Sequence, residues 1–217
     1  MLGDIGIYLS SASNRAKVLE LLGEHLVLAL LPLLIGLAVA IPLGWAVQRV
    51  RWLRVVVLGL ATVVYTVPAL ALFVIMPGIL GTRILDGVNV VVALALYTSA
   101  LLVRPVVDAL DAVPGAVVTA ATAMGFQPAR RFVRVELPMA TPVLAAGARV
   151  ASVSNISLVS VGALIGTGGL GQLFTEGFQT RYLAPIVIGI VLTVLLAFAM
   201  DLLLVGLRWA ATPWTRT

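Results

Sequence analysis

The sequence predicts an all-α protein that crosses a membrane about five times, and three observations predict it. Of 217 residues, 61% are hydrophobic and 11% charged, whereas an ordinary soluble domain is about a quarter charged. Too few polar side chains remain to cover a water-facing surface. The apolar residues also come in runs long enough to cross a hydrocarbon core of about 30 Å, which takes roughly 20 helical residues. Finally, the basic residues behind the net charge of +5 stand in short clusters between those runs. That is the pattern of loops beside a membrane, and no nucleic-acid partner is expected.

The opening, MLGDIGIYLSSASNRAKVLELLGEHL, is mixed and polar, with no basic stretch ahead of an apolar core, so it is not expected to be a cleaved signal. Residues 1–24 are read as an external segment, with a short amphipathic surface helix over 12–24. The five spans fall at about 25–47, 53–77, 87–104, 138–164 and 183–207. The third is short and the fourth is more polar than the rest. Pro32, Pro42 and Pro68 lie inside spans, where each removes a backbone donor and bends its helix. Residues 1–217 are read as one transmembrane domain. With no cysteine, disulfides and thiolate metal sites are excluded.

Charge orients the bundle. One side receives nine basic residues, Arg49, Arg51, Arg54, Arg104, Arg130, Arg131, Arg134, Arg208 and Arg216, and the other four, Arg15, Lys17, Arg83 and Arg181. The richer side is predicted to be cytoplasmic, which puts the N-terminus outside and the C-terminus inside. Trp45, Trp52, Trp209 and Trp214 fall near the cytoplasmic boundaries, as in an aromatic belt. The longest cytoplasmic loop is then 105–137. Within it, VPGAVVTAATAMGFQPARRF predicts a helix starting near Pro114, broken at Gly125, with a second helical turn opened by Pro128. Such a pair of helices fits a groove in a partner. A solvated loop with stop-transfer arginines is the alternative that composition leaves open.

The spacing within this loop resembles the signature of membrane subunits of binding-protein-dependent ABC importers: E-A-A, three residues, Gly, nine residues, Ile-x-Leu-Pro. Ala120 and Ala121 match the alanines, Gly125 the glycine, and Val135, Leu137 and Pro138 the last block; Thr119 stands where the family has Glu. The resemblance runs from about residue 24 to the fifth span. It extends to the osmoprotectant branch through EHLVLALLPLLIGLAVAIPLG (24–44), YTVPALAL (65–72) and LIGTGGLGQLF (164–174). It implies a MetI-like permease fold of the type I importers. It also implies a coupling helix seated in a cleft of an ATP-hydrolysing subunit, formed here by Thr119, Ala120, Ala121, Gly125, Pro128, Arg130, Arg131, Leu137 and Pro138. The partners implied are a second permease, identical or sister, two ATP-binding subunits and a separate substrate-binding protein. No phosphate loop G-x-x-x-x-G-K-[ST] occurs in the chain, in keeping with an ATPase carried elsewhere. No catalytic residue, metal site or cofactor is expected.

Two other groups stand out. In the fourth span Arg149, Ser152, Asn155, Ser157 and Ser160 fall on a broad arc at about 100° per residue, and Ser154 falls off it. Polar groups avoid lipid, so the arc faces the bundle interior or a water-filled path; the serines serve equally as helix-to-helix glue. Arg149 needs an anion, and Asp201 in the fifth span matches it in depth. A structural pair is expected first and a gate second. After the fourth span, Gly166, Gly168 and Gly171 spell G-x-G-x-x-G, with Gly169 between them. The motif follows a membrane span rather than opening a soluble βαβ unit, so a dinucleotide site is set aside. The glycines are read as a tight external turn, either touching a docked receptor or ending a helix. Glu24 and His25 are read as interfacial, without chemistry.

The function expected is that of a multi-pass permease of the bacterial cytoplasmic membrane that moves compatible solutes: glycine betaine, choline, carnitine or proline-like molecules. Importers of another small solute such as methionine, an ion-coupled carrier and a non-transporting scaffold are the alternatives. A carrier usually holds acids near the bilayer centre, and Asp201 is the only acid well inside a span.

Overall fold

The computed structural model describes residues 2–215, so Arg216, one of the nine basic residues above, lies outside the described residues. The described residues form helices α1 (Leu2–Ser10), α2 (Ala12–Arg49), α3 (Arg51–Thr66), α4 (Ala69–Leu80), α5 (Gly87–Asp111), α6 (Gly115–Ala123), α7 (Pro128–Arg131), α8 (Leu137–Gly162), α9 (Gly171–Thr180) and α10 (Leu183–Ala211). A π-helical turn, Phe132–Glu136, joins α7 to α8. Four stretches are long and apolar enough to cross a membrane: Ala12–Arg49, Gly87–Asp111, Pro128–Ile165 and Leu183–Ala211. The pair α3 and α4 makes a fifth if taken as one bent span.

That bend is a correction to the expected second span. The two halves meet at 102°. Pro68 supplies no N–H and forces the residue before it out of the helical region, and Val67 is extended (φ −66°, ψ 130°). Pro32 and Pro42, by contrast, sit within a continuous α2. The surface helix expected over 12–24 is likewise not separate: it is the first part of α2. The third span starts where expected but runs to Asp111 rather than 104. Pro105 is tolerated within α5, and Val106, Val107, Ala109 and Leu110 behind it are buried.

The centre of the bundle is the packing of α5 against α2 and α8. Two glycines let α2 approach: a Cβ on Gly36 would lie 2.4 Å from Thr98 Cγ2, and one on Gly44 2.4 Å from Val106 Cγ1. Small residues at such crossings are how apolar helices pack closely in lipid. Between these helices Thr98 Oγ1 donates to Asn155 Oδ1 at 2.9 Å, and Asn155 Nδ2 donates to the Ala29 carbonyl at 3.3 Å. At one end of the bundle Leu102, Val106, Leu110, Phe132 and Leu144 form an apolar cluster. At the other, α1 and α9 pack on α10 through Tyr8, Leu170, Leu173 and Ile188. The first is the basic end of the bundle and the second its glycine end.

Candidate functional site

Three sites take shape at three depths. At the basic end, α6 begins after Pro114 and stops at a left-handed Gly125 (φ 82°). The Phe126 N–H bonds to the Ala121 carbonyl and the Gly125 N–H to the Thr122 carbonyl, the paired bonds of a Schellman cap, which favours glycine at that position. Pro128 then opens α7. The signature residues divide by exposure. Thr119, Ala120, Gly125, Pro128 and Arg130 are exposed, whereas Ala121 is buried and Arg131, Leu137 and Pro138 are half-buried. Arg130 lies over the Phe126 ring, 5.3 Å from its centroid.

Beneath this exposed face lies a cluster that sequence reasoning missed. Glu136 is buried, 4% exposed. Its Oε1 accepts from Arg131 Nε at 2.6 Å, and Arg49 Nη2 lies 3.9 Å from the same oxygen. Arg131 Nη1 also donates to Thr122 Oγ1 of α6 at 2.6 Å. Arg49 stacks on Trp45 (4.3 Å to the centroid), and Trp45 meets Phe132 at 5.1 Å. The signal available beforehand was a lone acid at the edge of a basic block, where the chain enters a span.

Within the span region the expected pair is present. Arg149 Nε and Nη2 donate to the two carboxylate oxygens of Asp201 at 2.6 and 2.7 Å, the bidentate geometry that suits a guanidinium. The rest of the arc divides. Ser152 and Asn155 are buried in the helix packing, Ser160 is half-buried and Ser157 is exposed. A cavity of about 300 Å³ between α8, α9 and α10 is lined by Ser157, Ser160, Phe174 and Thr193, among others. The hydroxyls of Ser160 and Thr193 are buried there without a hydrogen-bond partner.

At the glycine end, α8 closes in a turn with Gly166 and Gly169 at positive φ (84° and 88°). The turn is bound to α2. Glu24 Oε2 accepts from the Gly169 N–H at 3.0 Å, and His25 Nδ1 accepts from the Leu170 N–H at 3.1 Å. His25 Nε2 lies 3.0 Å from the Ile156 carbonyl. A carbonyl only accepts and a backbone N–H only donates, so this ring is neutral with its proton on Nε2. Gly168 leaves the space that the Glu24 carboxyl fills, since a Cβ there would sit 1.8 Å from it. Of the four glycines singled out, Gly168, Gly169 and Gly171 are buried and Gly166 is exposed. No strand precedes the turn among the described residues. Glu24 and His25, read from the sequence as merely interfacial, are thus the anchors of the turn.

Residues 33–208 match the family of binding-protein-dependent transport system inner membrane components. The osmoprotectant import permease protein OsmW of Salmonella typhimurium is 35% identical over 92% of this chain and 94% of its own. The glycine betaine/carnitine/choline transport system permease protein OpuCD of Bacillus subtilis is 31% identical over 98% and 91%. Among solved structures, a chain of the MetNI methionine ABC transporter in an inward-facing form overlays with a TM-score of 0.80 at 23% identity, over 93% of this chain and 99% of its own. At that identity the likeness speaks for the fold, which is MetI-like as expected. With the family model covering most of the chain, this protein belongs to the inner membrane components of binding-protein-dependent transport systems, as a multi-pass permease subunit.

Proposed function

We propose that the chain is the permease of an ABC importer for compatible solutes of the glycine betaine, choline and carnitine class. The observation that carries this reading is the exposed α6–Gly125–α7 unit, with family spacing, at the end of the bundle richest in arginine. That end faces the cytoplasm, and the glycine end and N-terminus face outside. Thr119, Ala120, Gly125, Pro128 and Arg130 meet the ATPase, while Ala121, Leu137 and Pro138 seat the unit on the spans. A separate binding protein delivers solute at the glycine end, where Leu164 and Gly166 are exposed. Closure of two ATPases on ATP is passed to the spans, which switch access. Five spans enclose no channel, so two permeases act together, this chain with a copy of itself or with a sister. The cavity of Ser157 and Ser160 borders the path, and the Arg149–Asp201 pair ties α8 to α10 beside it. Relatives named for osmoprotectants and for choline support the solute class.

The test is uptake of labelled glycine betaine in a strain lacking its own uptake systems, complemented with the permease, ATPase and receptor genes. Choline, carnitine, proline and methionine serve as competitors. Competition by the quaternary amines, together with loss of uptake when the ATPase is inactivated, is the expected result. Competition by methionine alone would reassign the solute. Uptake that persists without any ATPase would replace the importer with an ion-coupled carrier.

A further inference from the structure

Glu136 is the only buried carboxylate among the described residues. Burying an ionised carboxylate is costly unless it is paired, and two guanidinium groups approach its Oε1, at 2.6 and 3.9 Å. The two come from different parts of the molecule. Arg131 ends α7 and grips Thr122 of α6; Arg49 ends α2 and rests on Trp45. The backbone is shaped for the first of these contacts. In a regular α-helix, residues five apart stand about 140° apart around the axis. The wide π turn, in which the Leu137 N–H reaches the Phe132 carbonyl, brings residue 136 back beneath residue 131. Single π turns inside helices often mark functional positions. Beside the pair opens a polar cavity of about 430 Å³, lined by Gln48, Arg49, Asp111, Arg131 and Glu136 among others. The cavity leaves room for either guanidinium to shift.

We propose that Glu136 is the positioning residue through which displacement of the α6–α7 unit reaches the spans. Arg131 is the partner that travels with the unit, and Arg49 is the partner that stays with α2. One carboxylate held by two cations can lengthen one contact as it shortens the other, so the buried charge is never left alone. This rests on the importer reading above and adds the residue that does the transmitting.

The test uses the complete transporter in proteoliposomes, with its ATPases and binding protein. Uptake of labelled glycine betaine and ATP hydrolysis are measured on the same preparation. Glu136→Gln keeps size and hydrogen bonding but removes the charge. It is expected to assemble with the ATPase and to retain hydrolysis, while uptake per ATP falls by about tenfold, within the range of measured coupling effects. Arg49→Gln should behave alike, the double variant should be no worse than either, and Glu136→Asp should recover part of the ratio. A merely structural staple would lower hydrolysis and uptake in proportion, leaving uptake per ATP at the wild-type value. That result, or an unchanged Glu136→Gln transporter, overturns the proposal. If Glu136→Gln does not assemble, Arg49→Gln decides alone by the same criterion, because it leaves Glu136 charged and paired with Arg131. Failure of the wild-type protein to couple uptake to ATP would instead overturn the importer reading, and the proposal with it.

Discussion

The two ends of the bundle hold α2 by different chemistry. At the glycine end, Glu24 and His25 bind backbone N–H groups of a turn that has glycine at both of its positive-φ positions, Gly166 and Gly169. At the basic end, Arg49 and Arg131 bind a side chain, Glu136, in a π turn beside a polar cavity. Bonds to the main chain fix one backbone shape. An ion pair with a third charge 3.9 Å away has somewhere else to go. The first end is built to hold a shape and the second to change one. Variants at the glycine end should therefore act on stability, and variants at the basic end on coupling.

The largest stability effect is expected at His25. His25→Ala leaves the buried Leu170 N–H without its partner, at a cost of about 1–3 kcal/mol, and removes the second bond to the Ile156 carbonyl, which lies within α8. The Tm of the purified permease in detergent should fall clearly, and hydrolysis and uptake should fall together. A Tm unchanged by this variant would break the comparison at its firmer end. Next come Arg149→Ala and Asp201→Ala. Each removes half of a bidentate pair, so the double variant should lose no more thermal stability than the worse single one; additive losses would mean that the two side chains act independently. Gly125→Trp should lower the Tm only by the equivalent of the roughly 1–2 kcal/mol that a left-handed non-glycine residue costs, since nothing lies within 4 Å of where its Cβ would stand. The same variant should abolish co-purification of the ATPase, which separates the two kinds of end most sharply. Gly168→Ala should cost about 1 kcal/mol, because the Glu24 carboxyl can swing away from the new methyl but gives up the Gly169 N–H. The smallest effect belongs to Arg54→Gln, again read as Tm. The Arg54–Asp111 bridge (2.8 Å) is exposed on both sides, and such pairs are worth at most about 1 kcal/mol.

What could be read in advance follows from how far apart the interacting residues lie. Spans depend on local runs of apolar residues, and four of the five appear near their expected places. The second broke because a proline's effect depends on its neighbours: Pro68 ends α3, while Pro42 and Pro105, equally visible in the sequence, are carried inside helices packed against other spans. The helix before Gly125 was legible because its start and stop signals are local. Arg149 and Asp201, though 52 residues apart, could be matched because charges within spans are few and depth can be counted along a helix. Glu24 and His25 could not. Their partners are 145 residues away, and they are backbone N–H groups that every residue but proline carries. Glu136 escaped notice for another reason: its importance depends on a π turn, which no pattern of apolar residues announces.

Both anchoring arrangements are mounted on a single helix. From His25 to Arg49 is 24 residues, or roughly 36 Å, longer than the hydrocarbon core of about 30 Å. Gly36 presses on Thr98 near the middle of that distance. A tilt of this stretch of α2 about that crossing would carry His25 and Arg49 in opposite directions. A shift at Arg49 would then be felt at His25 in the opposite sense, as on a rod pivoted near its middle.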